Sequence, residues 1–119
     1  MKKLLIYSIL TYLLFTINSS AANQSADTKD LKIGVLLPLS GPFQEIGQSF
    51  LRAIQLALFD IDNKKIRIYP KDSQGNALNS YLAAKEFEEL GIKIVIGPVF
   101  FDSLERLNEI KNITFISLT

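Results

Sequence analysis

The sequence predicts an α/β protein on a doubly wound, mostly parallel sheet, with strands and helices alternating as β-α-β-α-β-α-β. Three observations lead there. Short apolar runs rich in β-branched residues alternate with longer stretches whose apolar residues recur at steps of three and four. Gly, Pro or a polar turn punctuates each run. The first run, Ile33-Gly34-Val35-Leu36-Leu37, is apolar on both faces, as a central strand covered by helices on either side must be.

The chain opens with a segment of a different kind. Lys2 and Lys3 precede an uncharged run from Leu4 to Ile17 and a small, polar exit from Asn18 to Ala22, the layout of a signal peptide over residues 1–22. That run is shorter than the roughly 20 residues a spanning helix requires. Cleavage near Ala22 is therefore expected, leaving a mature periplasmic protein that does not span the membrane. The sequence has no Cys, which removes the attachment point of a lipoprotein leader. Residues 23–30 carry almost no apolar side chain and read as a flexible spacer.

The fold is expected to start at Leu31. Its first strand runs to Leu37 and is ended by Pro38, Gly41 and Pro42. From Gln44 onward Ile46, Phe50, Ile54, Ala57, Leu58 and Ile61 share one side of a helix, with Gln48, Arg52, Gln55 and Asp62 on the other. Ile66-Arg67-Ile68-Tyr69 alternates, which suits a strand nearer the sheet edge, and Pro70 and the turn Asp72-Ser73-Gln74-Gly75-Asn76 close it. Asn79 or Ser80 is expected to cap a second helix with the inner stripe Leu82, Ala83, Phe87 and Leu90, stopped by Gly91. Ile92 to Ile96 forms a third strand, cut by Gly97-Pro98. Asp102-x-x-Glu105 reads as a capping box opening a short helix that buries Leu104, Leu107 and Ile110. Ile113 to Leu118 begins a fourth strand. The helix that would cover it lies past Thr119, so residues 31–119 read as a partial N-terminal lobe.

Composition excludes several function classes. The whole chain has 13 basic and 12 acidic side chains, and loss of Lys2 and Lys3 with the leader leaves the balance about neutral. No Lys/Arg run is longer than two, so nothing drives counterion release from phosphates and no nucleic-acid partner is expected. With neither His nor Cys, imidazole and thiol chemistry and the usual zinc sites are absent. Glu45, Glu86, Glu88 and Glu89 read as solvated helix faces rather than a catalytic pair. The turn after the first strand has neither a dinucleotide fingerprint nor a Walker lysine, so no cofactor is expected.

Ligands of such sheets gather at the carboxyl ends of the strands, where loops meet helix N-termini. Three segments qualify and are expected to converge on one rim: Pro38 to Gly47, Gly97 to Ser103, and Ser117 to Thr119. Ser40 and Gly41 belong either to a ligand loop or to a plain strand-to-helix turn. Phe100 and Phe101 form either the floor of a pocket or a cover for the sheet end. Ser103, like Asp102, is explained equally by helix capping.

Taken together, Lys32-Ile33-Gly34-Val35-Leu36-Leu37-Pro38-Leu39-Ser40-Gly41-Pro42 with Gly47, Asp72 to Gly75, Gly91 to Gly97, and Phe115-Ile116-Ser117 resemble the opening of leucine-type (type I) periplasmic binding proteins. Leu56 to Asp60 and Ile96 to Phe100 look more like the branch that activates penicillin-binding proteins. The resemblance implies two hinged lobes that close on a small ligand, commonly an amino acid, with no catalysis. It places Ile46 where transport members often carry an aromatic contact, and Phe101 where they carry a small or hydroxyl residue for the amino-acid head group. Ser117 and Thr119 fall in the next binding loop. The transport reading implies a membrane permease of the ABC class as partner; the activator reading implies a penicillin-binding protein. The bulk of Phe101 favours the activator branch, whereas the missing lipid-bearing Cys cuts the other way. A secreted flavodoxin-like enzyme fragment is the alternative from another class, and it lacks the cofactor loop it would need.

Overall fold

The computed structural model describes residues 29–118; the signal-peptide reading, most of the spacer and Thr119 lie outside the described residues. Four strands form one parallel sheet: β1 (Leu31–Leu37), β2 (Ile66–Asp72), β3 (Ile94–Ile96) and β4 (Thr114–Ile116). Their order is β2-β1-β3-β4, and β1 pairs on both sides, with Val35 between Pro70 and Ile96. The apolar first run is thus a central strand and the alternating second run an edge strand, as their patterns require. Three crossover helices complete the fold: α1 (Gln44–Ile61), α2 (Ala77–Glu89) and α3 (Asp102–Leu107). The edge position of β2 lets the strand run through Pro70 to Asp72, because no strand among the described residues pairs with its outer side.

The pleat of β1 divides the core. Leu36 joins a cluster with Val95, Ala83, Ala84, Phe87, Ile92, Leu107, Ile110 and Ile113, which packs α2 and α3 on one face of the sheet. Gly34 shares that face, and a Cβ there would stand 2.8 Å from Val95 and 3.1 Å from Phe87. Val35 and Leu37, one residue out of phase, point to the other face and are fully buried beneath α1. An ion pair from Lys71 to Glu86 ties β2 to α2.

Helix α2 departs from the expected pattern. Its cap is Asn76, in extended conformation, whose side-chain oxygen accepts the Asn79 N–H at 2.9 Å. Asn79 and Ser80 are already helical, and the Ser80 hydroxyl donates back to the Asn76 carbonyl at 2.8 Å. The buried stripe is Ser80, Ala83, Ala84 and Phe87. Three small residues let the helix lie close to the sheet, which turns Leu82 outward (51% exposed) together with Leu90. In α3, Phe101 occupies the cap position without a side-chain bond and Asp102 is the first helical residue, so the expected capping box does not form. Ile110 is buried but lies past the end of α3. Both C-terminal strands are shorter than their apolar runs.

These placements order the cost of truncation. Phe87→Ala is expected to lose about 3–5 kcal/mol of stability, and Leu82→Ala less than about 1 kcal/mol, as read by urea unfolding. Similar losses at the two positions would contradict the assigned face of α2.

Candidate functional site

The loop after β1 is fastened to the end of β2 by one carboxylate. Asp72 pairs with Leu37 in the sheet register, so its side chain emerges where the first loop begins. Its Oδ1 accepts the N–H groups of Leu39 at 2.8 Å, Ser40 at 3.3 Å and Gln74 at 2.8 Å. Its Oδ2 accepts the Ser40 hydroxyl at 2.5 Å. Partial desolvation pushes the Asp72 carboxyl up, but the Ser40 hydroxyl and the three N–H donors together outweigh it and hold the group below the usual carboxylate range. The Ser40 proton is therefore committed to Asp72, and the oxygen keeps its acceptor capacity toward a ligand.

Close backbone approach fixes the rest of the rim. At Gly47, in the first turn of α1, a Cβ would stand 1.9 Å from the Pro38 carbonyl oxygen, so only glycine lets the helix rest on the strand end. At Gly97 the backbone has φ +109° and a Cβ would stand 2.1 Å from the Leu36 oxygen. The Gly97 N–H donates to Ile116 O at 2.8 Å, and Pro98 O accepts both the Leu118 N–H at 3.1 Å and the Ser117 hydroxyl at 3.5 Å. The loops after β3 and β4 are thereby joined. Across the rim, Phe43 and Phe100 stack with ring centroids 4.6 Å apart at 54°, with Gly75 of the β2–α2 loop against both rings.

The candidate residues divide into distinct settings. Ser40, Phe100 and Ser117 lie at the joined carboxyl ends, and Gly41, at φ +77°, has open space around it. Phe101 projects from the same edge at 73% exposed. Ser103 is set apart from this surface, since it is 1% exposed within the first turn of α3; packing and backbone bonding explain it better than ligand contact. Ile46 lines an open hollow of about 510 Å³ along α1 with Glu45, Ser49, Phe50 and Ala53. Thr119 lies outside the described residues. Sequence reading left out Asp72 and Phe43 as site residues. The Asp-Ser-Gln-Gly turn, whose aspartate binds the N–H two residues on, was the available signal for the first. Among the described residues no cluster suited to a metal ion occurs, and no helix is long and apolar enough to cross a membrane.

A family model described as periplasmic binding protein matches residues 30–119. A crystal structure of a periplasmic binding protein from Burkholderia mallei is 26% identical, with a TM-score of 0.65 over 75% of this chain and 26% of that one. An ABC-type branched-chain amino acid transporter from Rhodopseudomonas palustris is 24% identical, with a TM-score of 0.66 over 74% of this chain and 27% of that one. The C-domain of LpoA from Haemophilus influenzae, a regulator of PBP1A, is 24% identical, with a TM-score of 0.61 over 72% of this chain and 27% of that one. The chain thus spans about a quarter of the length of these structures. No curated protein matches it.

The Asp72 arrangement makes a pH-dependent contribution to stability. With the folded pKa depressed, that contribution is complete above the ordinary value of 3.8 and is lost as the pH falls through the lower folded value. Asp72→Asn is expected to cost about 1–3 kcal/mol at pH 7, with the gap to the unmodified chain narrowing near pH 3. Urea unfolding at both pH values checks this, and a gap independent of pH would refute it.

Proposed function

The chain belongs to the periplasmic binding protein family, and from that premise we propose that it forms part of a non-catalytic ligand-binding lobe working in the periplasm, with an amino acid or a related small solute as ligand for ABC transport. The observation that carries this reading is the joined rim. Asp72 holds Ser40 in place, Phe43 and Phe100 supply an apolar wall, and Ser117 stands on the adjoining strand end. A fixed polar edge beside an aromatic surface matches a ligand with a charged head and an apolar body. The R. palustris relative, named as a branched-chain amino acid transporter, is consistent with that class. Ser40, Gly41, Phe100, Phe101, Ser117 and Thr119 are the residues proposed to meet the ligand, with Ile46 more remote. Export through a cleaved leader over residues 1–22 belongs to the same proposal.

A second reading has its own support. Phe101 is large and 73% exposed where the transport pattern calls for a small polar residue, and an exposed aromatic side chain at a rim suits contact with another protein. On this reading the lobe regulates a penicillin-binding protein, as the H. influenzae relative is named to do for PBP1A.

Titration of the isotope-labelled chain with branched-chain amino acids, followed by amide chemical shifts, separates the two. Shifts confined to residues around Ser40, Gly41, Phe100 and Ser117 are expected on the transport reading. No shifts at millimolar amino acid, together with capture of a purified penicillin-binding protein that Phe101→Ala abolishes, would replace it by the activator reading.

A further inference from the structure

Helix α1 is amphipathic in an unusual sense, because its outer face is also apolar at its centre. Of its 18 residues only Gly47 is buried, and the side turned toward the sheet consists of the half-buried Phe50, Leu51, Ile54 and Leu58. At 100° per residue, the direction opposite that side is occupied by Ser49, Arg52, Leu56 and Asp60, flanked by Ala53 and Phe59, and all six are exposed. Leu56 is 62% and Phe59 80% exposed. Leu56 and Phe59 stand three residues apart and so adjoin on that face, and contiguous exposed apolar surface is what marks interaction sites.

We propose that the outer face of α1 is a self-association surface that pairs antiparallel with α1 of a second copy of this chain about a twofold axis crossing Leu56. The charges select this occupant. Arg52 and Asp60 are equidistant from Leu56 along the helix, and among the described residues neither is in an ion pair. An antiparallel twofold arrangement sets Leu56 against its own counterpart. It also places each Arg52 level with Asp60 of the second copy, with the Phe59 ring beside the arginine stem. The contact is isologous, so both charges of both copies are matched at once. A partner surface of a single sign would leave one charge of each pair unmatched. The two helix dipoles also run in opposition, which favours the antiparallel sense. Among the described residues Arg52 donates to the neighbouring Ser49 hydroxyl, at 3.3 Å, and is exposed enough to swing outward.

Sedimentation equilibrium of the full chain over the micromolar to submillimolar range tests the proposal, with far-UV circular dichroism confirming that each variant is folded. A monomer–dimer equilibrium is expected. Leu56→Glu is expected to weaken it at least tenfold, as are Arg52→Asp and Asp60→Arg singly, whereas the double variant Arg52→Asp/Asp60→Arg recovers most of the affinity. Ile116→Glu, on a separate exposed apolar position of β4, is expected to leave it unchanged. A chain that stays monomeric throughout overturns the proposal. So does association that Leu56→Glu does not affect, or a charge-swapped double variant no better than its single parents.

Discussion

The Asp72 carboxylate is the constraint on which the rest of the rim depends. It sits at the end of an edge strand, where a charge can be partly withdrawn from water without being isolated. Four donors converge on it, three from the loop after β1 and one from its own turn. That anchor ties the Leu39–Ser40 segment to the end of β2. Loops at strand ends ordinarily owe their mobility to unpaired backbone groups. Here the Leu39 and Ser40 N–H groups are already engaged, so the shape of that segment is set before any ligand arrives. A preset loop spends less of its binding energy on ordering.

The glycines extend that constraint to the helices. Gly47 lets α1 touch the Pro38 carbonyl and Gly97 lets the β3 end touch the Leu36 carbonyl. Both contacts fall within two residues of the β1 terminus. One strand end therefore carries the approach of a helix, the approach of a neighbouring strand and, through Leu37 and Ser73, a hydrogen bond to the β2 turn at 2.8 Å. This density of backbone contact explains why Pro38, a residue in a connection, is among the most deeply buried side chains of the described region.

The sequence makes the sheet legible because parallel strands buried on both faces leave an unmistakable record. Apolar continuity in Ile33 to Leu37 marks the centre, and alternation in Ile66 to Tyr69 marks the edge. The loops were legible only as positions. That three strand ends share a rim follows from topology, but which side chains meet there depends on contacts between residues far apart in sequence. Asp72 and Ser40 are 32 residues apart, and nothing in the local pattern of either names the other. Helix α2 departs from its sequence pattern for a related reason. Hydrophobic periodicity weighs Leu82 and Leu90 above Ser80 and Ala84, whereas the face packed on the sheet is filled by Ser80, Ala83 and Ala84 around one large side chain, Phe87. The cap at Asn76 follows the same logic, since its side chain was read as part of a turn when it ends the turn and starts the helix.

The rim at Ser40, Phe100 and Ser117 and the outer stripe of α1 are kept apart by the geometry of the sheet itself. A carboxyl-end rim is perpendicular to the faces that the helices cover, so a ligand seated there approaches along the strand direction. The outer stripe of α1 faces away from the sheet, a full layer from the strands. Association through Leu56 and Phe59 would therefore leave Ser40, Phe100 and Ser117 uncovered, and the rim would be free to act in each copy. The one structural link between them is α1, whose first turn is pinned at Gly47 and whose outward stripe begins at Ser49, two residues later. Movement of the first loop would have to break the Asp72 bonds or lift the helix off Pro38. The same contacts that preset the rim thus hold the outer face of α1 at a fixed orientation relative to it.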